Sequence, residues 1–179
     1  MKASVYGIAI TEGQADRIVR ELQALGFSND DISVLFPDTR GSRDLGHEKH
    51  SKAPEGAATG AGTGGLVGGA LGWLAGIGTL AIPGVGPFIA AGPILAALSG
   101  AAVGATVGGL TGALIGLGIP EYEAKRYEGK LVSGNILISV HGTSRDECRR
   151  ARETFDRAGA EDVSDSTEAN VPREERPHA

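Results

Sequence analysis

The stretches GAATGAGTGGLVGGALGWLAG (residues 56–76) and GAAVGATVGGLTGALIG (residues 100–116) carry a glycine at every fourth position. The first series is Gly56, Gly60, Gly64, Gly68, Gly72 and Gly76; the second is Gly100, Gly104, Gly108, Gly112 and Gly116. Positions four apart stack on one helix face. Each series therefore predicts a helix with a bare stripe, which lets a second backbone approach closely, as in small-xxx-small packing. Glycine costs about 1 kcal/mol per residue against alanine in an aqueous helix. Such a helix needs compensation from an apolar solvent or from tight helix–helix contact.

Working outward, no Lys, Arg, Asp, Glu or His lies between Gly56 and Pro120, although 22% of the chain is charged. This window predicts a glycine-zipper αα hairpin over 56–119. Its first helix is expected from Pro54 to Leu80. At ~1.5 Å per residue that is roughly 40 Å, enough to match a ~30 Å hydrocarbon core. Pro83, Gly84, Gly86 and Pro87 break the run and predict the hairpin turn. Phe88–Gly92 reads as a short interfacial piece. The second helix is expected to begin at Pro93, a favoured first-turn residue, and to end near Gly118.

The two flanks are polar and resemble each other. Ser4–Ile10 reads as a strand. Thr11 and Gln14 have capping-box spacing, and Ala15, Ile18, Val19 and Leu22 follow at helical spacing. Gly26 is placed to end that helix, and Asp31–Phe36 reads as a second strand. In the last flank Asn135–Val140 reads as a strand, and Ser144 and Glu147 form a second capping box. Cys148, Ala151 and Phe155 mark one helix face, Gly159 is the stop, and Glu161–Ser164 reads as a short edge strand. The expected fold is α+β: a ferredoxin-like four-stranded sheet with two helices, made of two β-α-β halves and split by the hairpin. The corresponding segments are 1–37, a charged linker 38–55, the hairpin 56–119, a connecting helix 120–133, the second half 134–165 and a disordered tail 166–179.

Composition narrows the functional classes. The net charge of −5 gives no basic stripe for nucleic acid. One cysteine excludes an internal disulfide framework. The N-terminal stretch lacks a long apolar core, so a cytoplasmic side is expected. Arg40, Arg43, Lys49 and Lys52 precede the hairpin, Lys125, Arg126 and Lys130 follow it, and the turn is uncharged. That pattern suits a hairpin entering a cell membrane with both termini cytoplasmic.

The run from Gly76 to Val140 resembles small bacterial general-stress proteins, the heat- or low-temperature-induced kind with a glycine-zipper insert in an α+β domain. IPGVGP (82–87), AAGP (90–93) and GIPEYEAKRYEGKL (118–131) carry the likeness. The resemblance implies a stress-linked, membrane-associated protein, of a family with no established catalytic activity.

Chemistry-bearing patterns are weak. Gly60, Gly62 and Gly65 match a dinucleotide fingerprint but follow a charged loop instead of a strand. His47 and His50 lack a third firm metal ligand. His141 reads as a strand-end residue, and Cys148 as a small buried hydrophobe. The arginines of 145–157 are interleaved with acids and read as a solvated face. Tyr122 and Tyr127 suit either a membrane-interface belt or a connector docking on the sheet. The expected protein is non-enzymatic, with no cofactor, metal, nucleic acid or small-molecule substrate. It associates with itself and with lipid through Gly60, Gly64, Gly68, Gly72, Gly76, Gly100, Gly104, Gly108, Gly112 and Gly116. The alternative expectation is a cytoplasmic assembly module whose hairpins interlock between subunits.

Overall fold

The computed structural model describes residues 3–38, 78–82, 85–100 and 105–167. The strands are β1 (Ala3–Ala9), β2 (Ile32–Pro37), β3 (Gly78–Ile82), β4 (Gly86–Ala91), β5 (Ile136–Gly142) and β6 (Glu161–Thr167). The helices are α1 (Glu12–Ala24), α2 (Pro93–Gly100), α3 (Ala105–Gly116), α4 (Glu121–Val132) and α5 (Arg145–Arg157). The fold is mixed helix and strand on one antiparallel sheet, ordered β3-β4-β2-β5-β1-β6.

The strands of the polar flanks are apolar on both sides because helices cover both faces of the sheet. Side chains alternate between faces. Val5, Ile32, Val34, Ile138 and Val140 join the cluster under α1 and α5, with Ile18, Leu22, Ala151 and Phe155. Tyr6, Ile8, Leu35 and Leu137 join the opposite cluster with Ile94, Leu98, Leu110, Leu114, Tyr127 and Leu131 of α2, α3 and α4. At Gly7 the Phe155 ring lies 2.6 Å from where a Cβ would stand, so α5 sits directly on the β1 backbone.

The helix signals of the flanks are realised. Thr11 Oγ1 accepts from Gln14 N, and Ser144 and Glu147 form a reciprocal capping box. Gly26 and Gly159 adopt φ of 95° and 75° as the helices stop.

Several expectations are corrected. Among the described residues the sheet has six strands, not four, because Gly78–Ile82 and Gly86–Ala91 form a β-hairpin added at the β2 edge. Gly78–Leu80 is therefore strand and not the end of a helix, and Phe88–Ala91 is a sheet strand rather than an interfacial piece. The break at 83–87 lies between two strands and not between two helices: Val85 N donates to Ile82 O at 3.1 Å, and Gly86 takes φ 111°. The second helix begins at Pro93 but is not regular throughout, because Gly109 (φ 57°, ψ −149°) interrupts α3. Finally, β6 reaches Thr167, so Ser166 and Thr167 belong to the sheet and not to a tail.

Candidate functional site

The insert is anchored where β4 passes into α2. Gly92 takes φ 77°, and a Cβ there would stand 2.1 Å from the Ile32 carbonyl oxygen. Only glycine allows the chain to cross β2 that closely. The buried Ser33 Oγ then accepts from Ile94 N at 3.1 Å and satisfies an amide at the start of α2.

α3 carries no charge on any face. Leu110, Ala113 and Leu114 are buried against the sheet layer, and Thr111 Oγ1 donates to the Glu128 carboxylate of α4. The opposite side presents Gly112, Ile115 and Gly116. Among the described residues nothing lies within 4 Å of a Cβ added at Gly112 or Gly116, and Ile115 is 42% exposed. A helix that is apolar all round normally has partners all round.

Of the remaining glycines of the two series, Gly100 ends α2 and Gly108 lies in the first turn of α3. Gly56, Gly60, Gly64, Gly68, Gly72, Gly76 and Gly104 lie outside the described residues, as do the charged linker from Thr39, His47, His50 and the tail from Glu168. Of the turn residues, Gly86 and Pro87 open β4, while Pro83 and Gly84 lie outside the described residues.

A small polar cleft of about 100 Å³ opens between Leu25, Phe27, Asp31, His141, Glu147 and Arg150. Its carboxylates are already engaged. Asp31 Oδ2 accepts from Ser28 N at 3.1 Å and Ser28 Oγ at 2.6 Å. Glu147 Oε2 accepts from Thr143 Oγ1 at 2.8 Å, Thr143 N at 2.7 Å and Ser144 N at 3.2 Å. These bonds, the Thr143 hydroxyl first, hold its carboxyl below the ordinary value. His141 is a strand-end residue; its backbone N–H donates to Asp31 O, and its Nδ1 lies 3.0 Å from Ser4 Oγ. Cys148 is only partly buried, with Sγ 3.8 Å from Ala3 O, and burial pushes its thiol up. Among the described residues no group of three metal-ligating side chains converges. The cleft is a set of helix-capping and turn contacts without a nucleophile and base in productive array.

α4 docks on the sheet. Tyr127 is buried 6.4 Å, ring to ring, from Tyr6, and its hydroxyl donates to Asp162 O at 2.9 Å and lies 2.6 Å from Ser164 Oγ. Arg126 pairs with Asp162, and Lys130 with Glu161. Together they hold Asp162 at φ 51°, beside the register shift between Tyr6 and Ile8. Glu121 and Lys125, four apart on α4, pair at 2.7 Å. Tyr122 donates to Glu123 and stays exposed.

Sequence reasoning missed Ser33 and Gly92 as organising residues, and saw Gln14 only as a local cap and not in its bonds to Ala158 and Gly159. A serine inside an apolar strand and a glycine before Pro93 were the available signals. No protein-family profile, curated protein or solved structure matches the chain.

Proposed function

We propose that the chain is a non-enzymatic, self-associating module of a bacterial stress response, with copies meeting through the glycine-bearing face of α3. The observation that carries this reading is the pairing of two facts on one helix. Leu110 and Leu114 are consumed by the chain's own core, while Gly112, Ile115 and Gly116 form a smooth uncharged face opposite. A second helix backbone fits such a face by close van der Waals approach. The stress assignment rests on the likeness of IPGVGP, AAGP and GIPEYEAKRYEGKL to general-stress proteins.

The core of this module is read as ferredoxin-like. The neighbour order β2-β5-β1-β6, with α1 and α5 on one face, supports a β-α-β-β-α-β unit into which β3, β4, α2, α3 and α4 are inserted.

Self-packing is favoured over insertion in lipid. Ile94, Leu98, Leu110 and Leu114 cannot face acyl chains while buried on the sheet. Among the described residues no helix is long and apolar enough to cross a membrane. Alkaline carbonate washing of membranes from expressing cells tests this choice. Release into the wash, followed by sizing above the monomer, is the expected result. Retention until detergent is added would overturn it in favour of an embedded insert.

A further inference from the structure

β2 and β3 run parallel, because both are antiparallel to β4, which lies between them. Parallel strands of one sheet cannot be joined by a tight hairpin, so the chain must cross over. Residues 39–77 make that connection, and β4 is the strand they pass.

Two other connections of the same kind show which face such a crossover takes. β1 and β2 are parallel across β5, and β5 and β6 are parallel across β1. Their links, α1 and α5, lie on the face of Val5, Val34 and Ile138. The step from β2 to β3 has the strand direction of the step from β1 to β2 and continues the same way along the sheet. A connection of the same hand therefore lies on the same face, and one hand strongly prevails among such crossovers. The link from β4 to β5 has the opposite hand, since α2, α3 and α4 lie on the Leu35 face. That link already occupies the Leu35 face of the β3–β4 hairpin, where α2 packs on both strands and α3 on β3.

The other face of the hairpin is uncharged. Partners across antiparallel strands share a face, so Phe36, Ile89 and Thr79 stand in one row beside Val34. Pro87 and Ala81 form the next row. Thr79, Ala81 and Pro87 are exposed and Phe36 is half-buried. Ile89 is only 8% exposed, yet it joins neither core cluster. α1 packs on β1 and β5, and α5 on β1, β5 and β6, so neither accounts for the cover over Ile89.

We infer that residues 39–77 cross on the α1/α5 face and cover the Phe36–Ile89 row. The chain's own connection is the fitting occupant because it is tied to β2 and β3 and has to pass β4 to join them. The inference goes beyond the association proposed through α3 and bears on it. It puts the run from Gly56 to Gly76 across the sheet from α3. The chain's own glycines then leave the Gly112 face open to a second copy.

Paramagnetic broadening tests the path. The single native thiol is removed by Cys148→Ala. A nitroxide on Pro87→Cys then marks the α1/α5 face, with Ala81→Cys as a second position there, and one on Ile115→Cys marks the α3 side. Spectra are read at a concentration where the chain is monomeric. The amide signals of Gly60, Gly64 and Gly68 report, being distant in sequence from both strands. They are expected to lose most of their intensity with the label at 87 or 81 and to keep it with the label at 115. Loss from the label at 115, alone or together with the others, would overturn the inference and place the run against α3. No loss from any label would overturn it too. Loss seen only when label and observed nuclei sit on different copies would give the face to a second copy instead. Sedimentation of Gly112→Leu decides the α3 reading separately, whichever face the run takes.

Discussion

Gln14 Nε2 donates to the carbonyl oxygen of Gly159 at 2.7 Å, joining residues 145 positions apart. The same amide donates to Ala158 O at 3.0 Å, and its Oε1 accepts from Ile10 N at 2.8 Å. One buried side chain thus caps the start of α1 and the end of α5. Gln14→Ala removes three hydrogen bonds and leaves buried carbonyls without a donor. Net bond values near 1 kcal/mol predict a loss of about 2–3 kcal/mol. Urea unfolding checks it: the midpoint falls while the slope is unchanged.

Gly92→Ala is predicted to be worse, although it adds one carbon. Its Cβ would stand 2.1 Å from Ile32 O at a φ of 77°. Backbone must move, and the strain of a left-handed non-glycine adds about 1 kcal/mol or more. The damage should be local first. Protection of Leu98 and Leu110 amides from exchange falls before that of Ile18, because α2 and α3 lose their anchor while α1 keeps its own contacts.

Tyr127→Phe keeps the ring packing against Tyr6 and removes the bonds to Asp162 O and Ser164 Oγ. A loss of about 1 kcal/mol is expected at neutral pH. Burial pushes the phenol well above its ordinary value of 10.0. A raised acid is neutral in the folded state, so its contribution is whole below 10 and falls as pH rises beyond it. The wild type should lose stability on alkaline titration, and Tyr127→Phe should flatten that limb.

Glu147 works in the opposite sense. Its folded value lies below the ordinary 4.5, held there by Thr143 first. Its contribution is whole above 4.5 and is lost as pH falls through the lower folded value. Glu147→Gln retains an acceptor for Thr143 and Ser144 without a titrating proton. Thermal unfolding between pH 5 and 3 should therefore fall less steeply in the variant.

Much of the flanks was legible because their signals are local. Thr11, Ser144, Gly26 and Gly159 act through bonds and dihedrals within a few residues of themselves. The β3–β4 hairpin was not legible. Gly78–Ala91 is a short apolar run, and periodicity cannot separate strand from buried helix at that length. The period-four glycines ending at Gly76 drew the helix reading on to Leu80. The turn chemistry of Pro83–Pro87 marks a break in the sequence but is silent about what it joins, which is two strands and not two helices. Tyr127 shows the other gap. Its spacing allowed a lipid belt or a sheet contact, and only its position beside Tyr6, far away in sequence, decides between them. The packing of α3 was hidden for the same reason, since Leu110 and Leu114 join one buried cluster with Leu35 and Leu137 only once the strands are ordered.

The central claim is that the open face of α3 joins copies of the chain. Sedimentation velocity of the wild type and Gly112→Leu, over a range of concentrations, tests it most directly. A side chain at position 112 meets nothing within the described residues, so the variant should fold at least as stably, with helix propensity adding about 1 kcal/mol. The account predicts an associating wild type and a monomeric variant with an unchanged or raised unfolding midpoint. A wild type that stays monomeric throughout, or a variant that associates equally well, would contradict it.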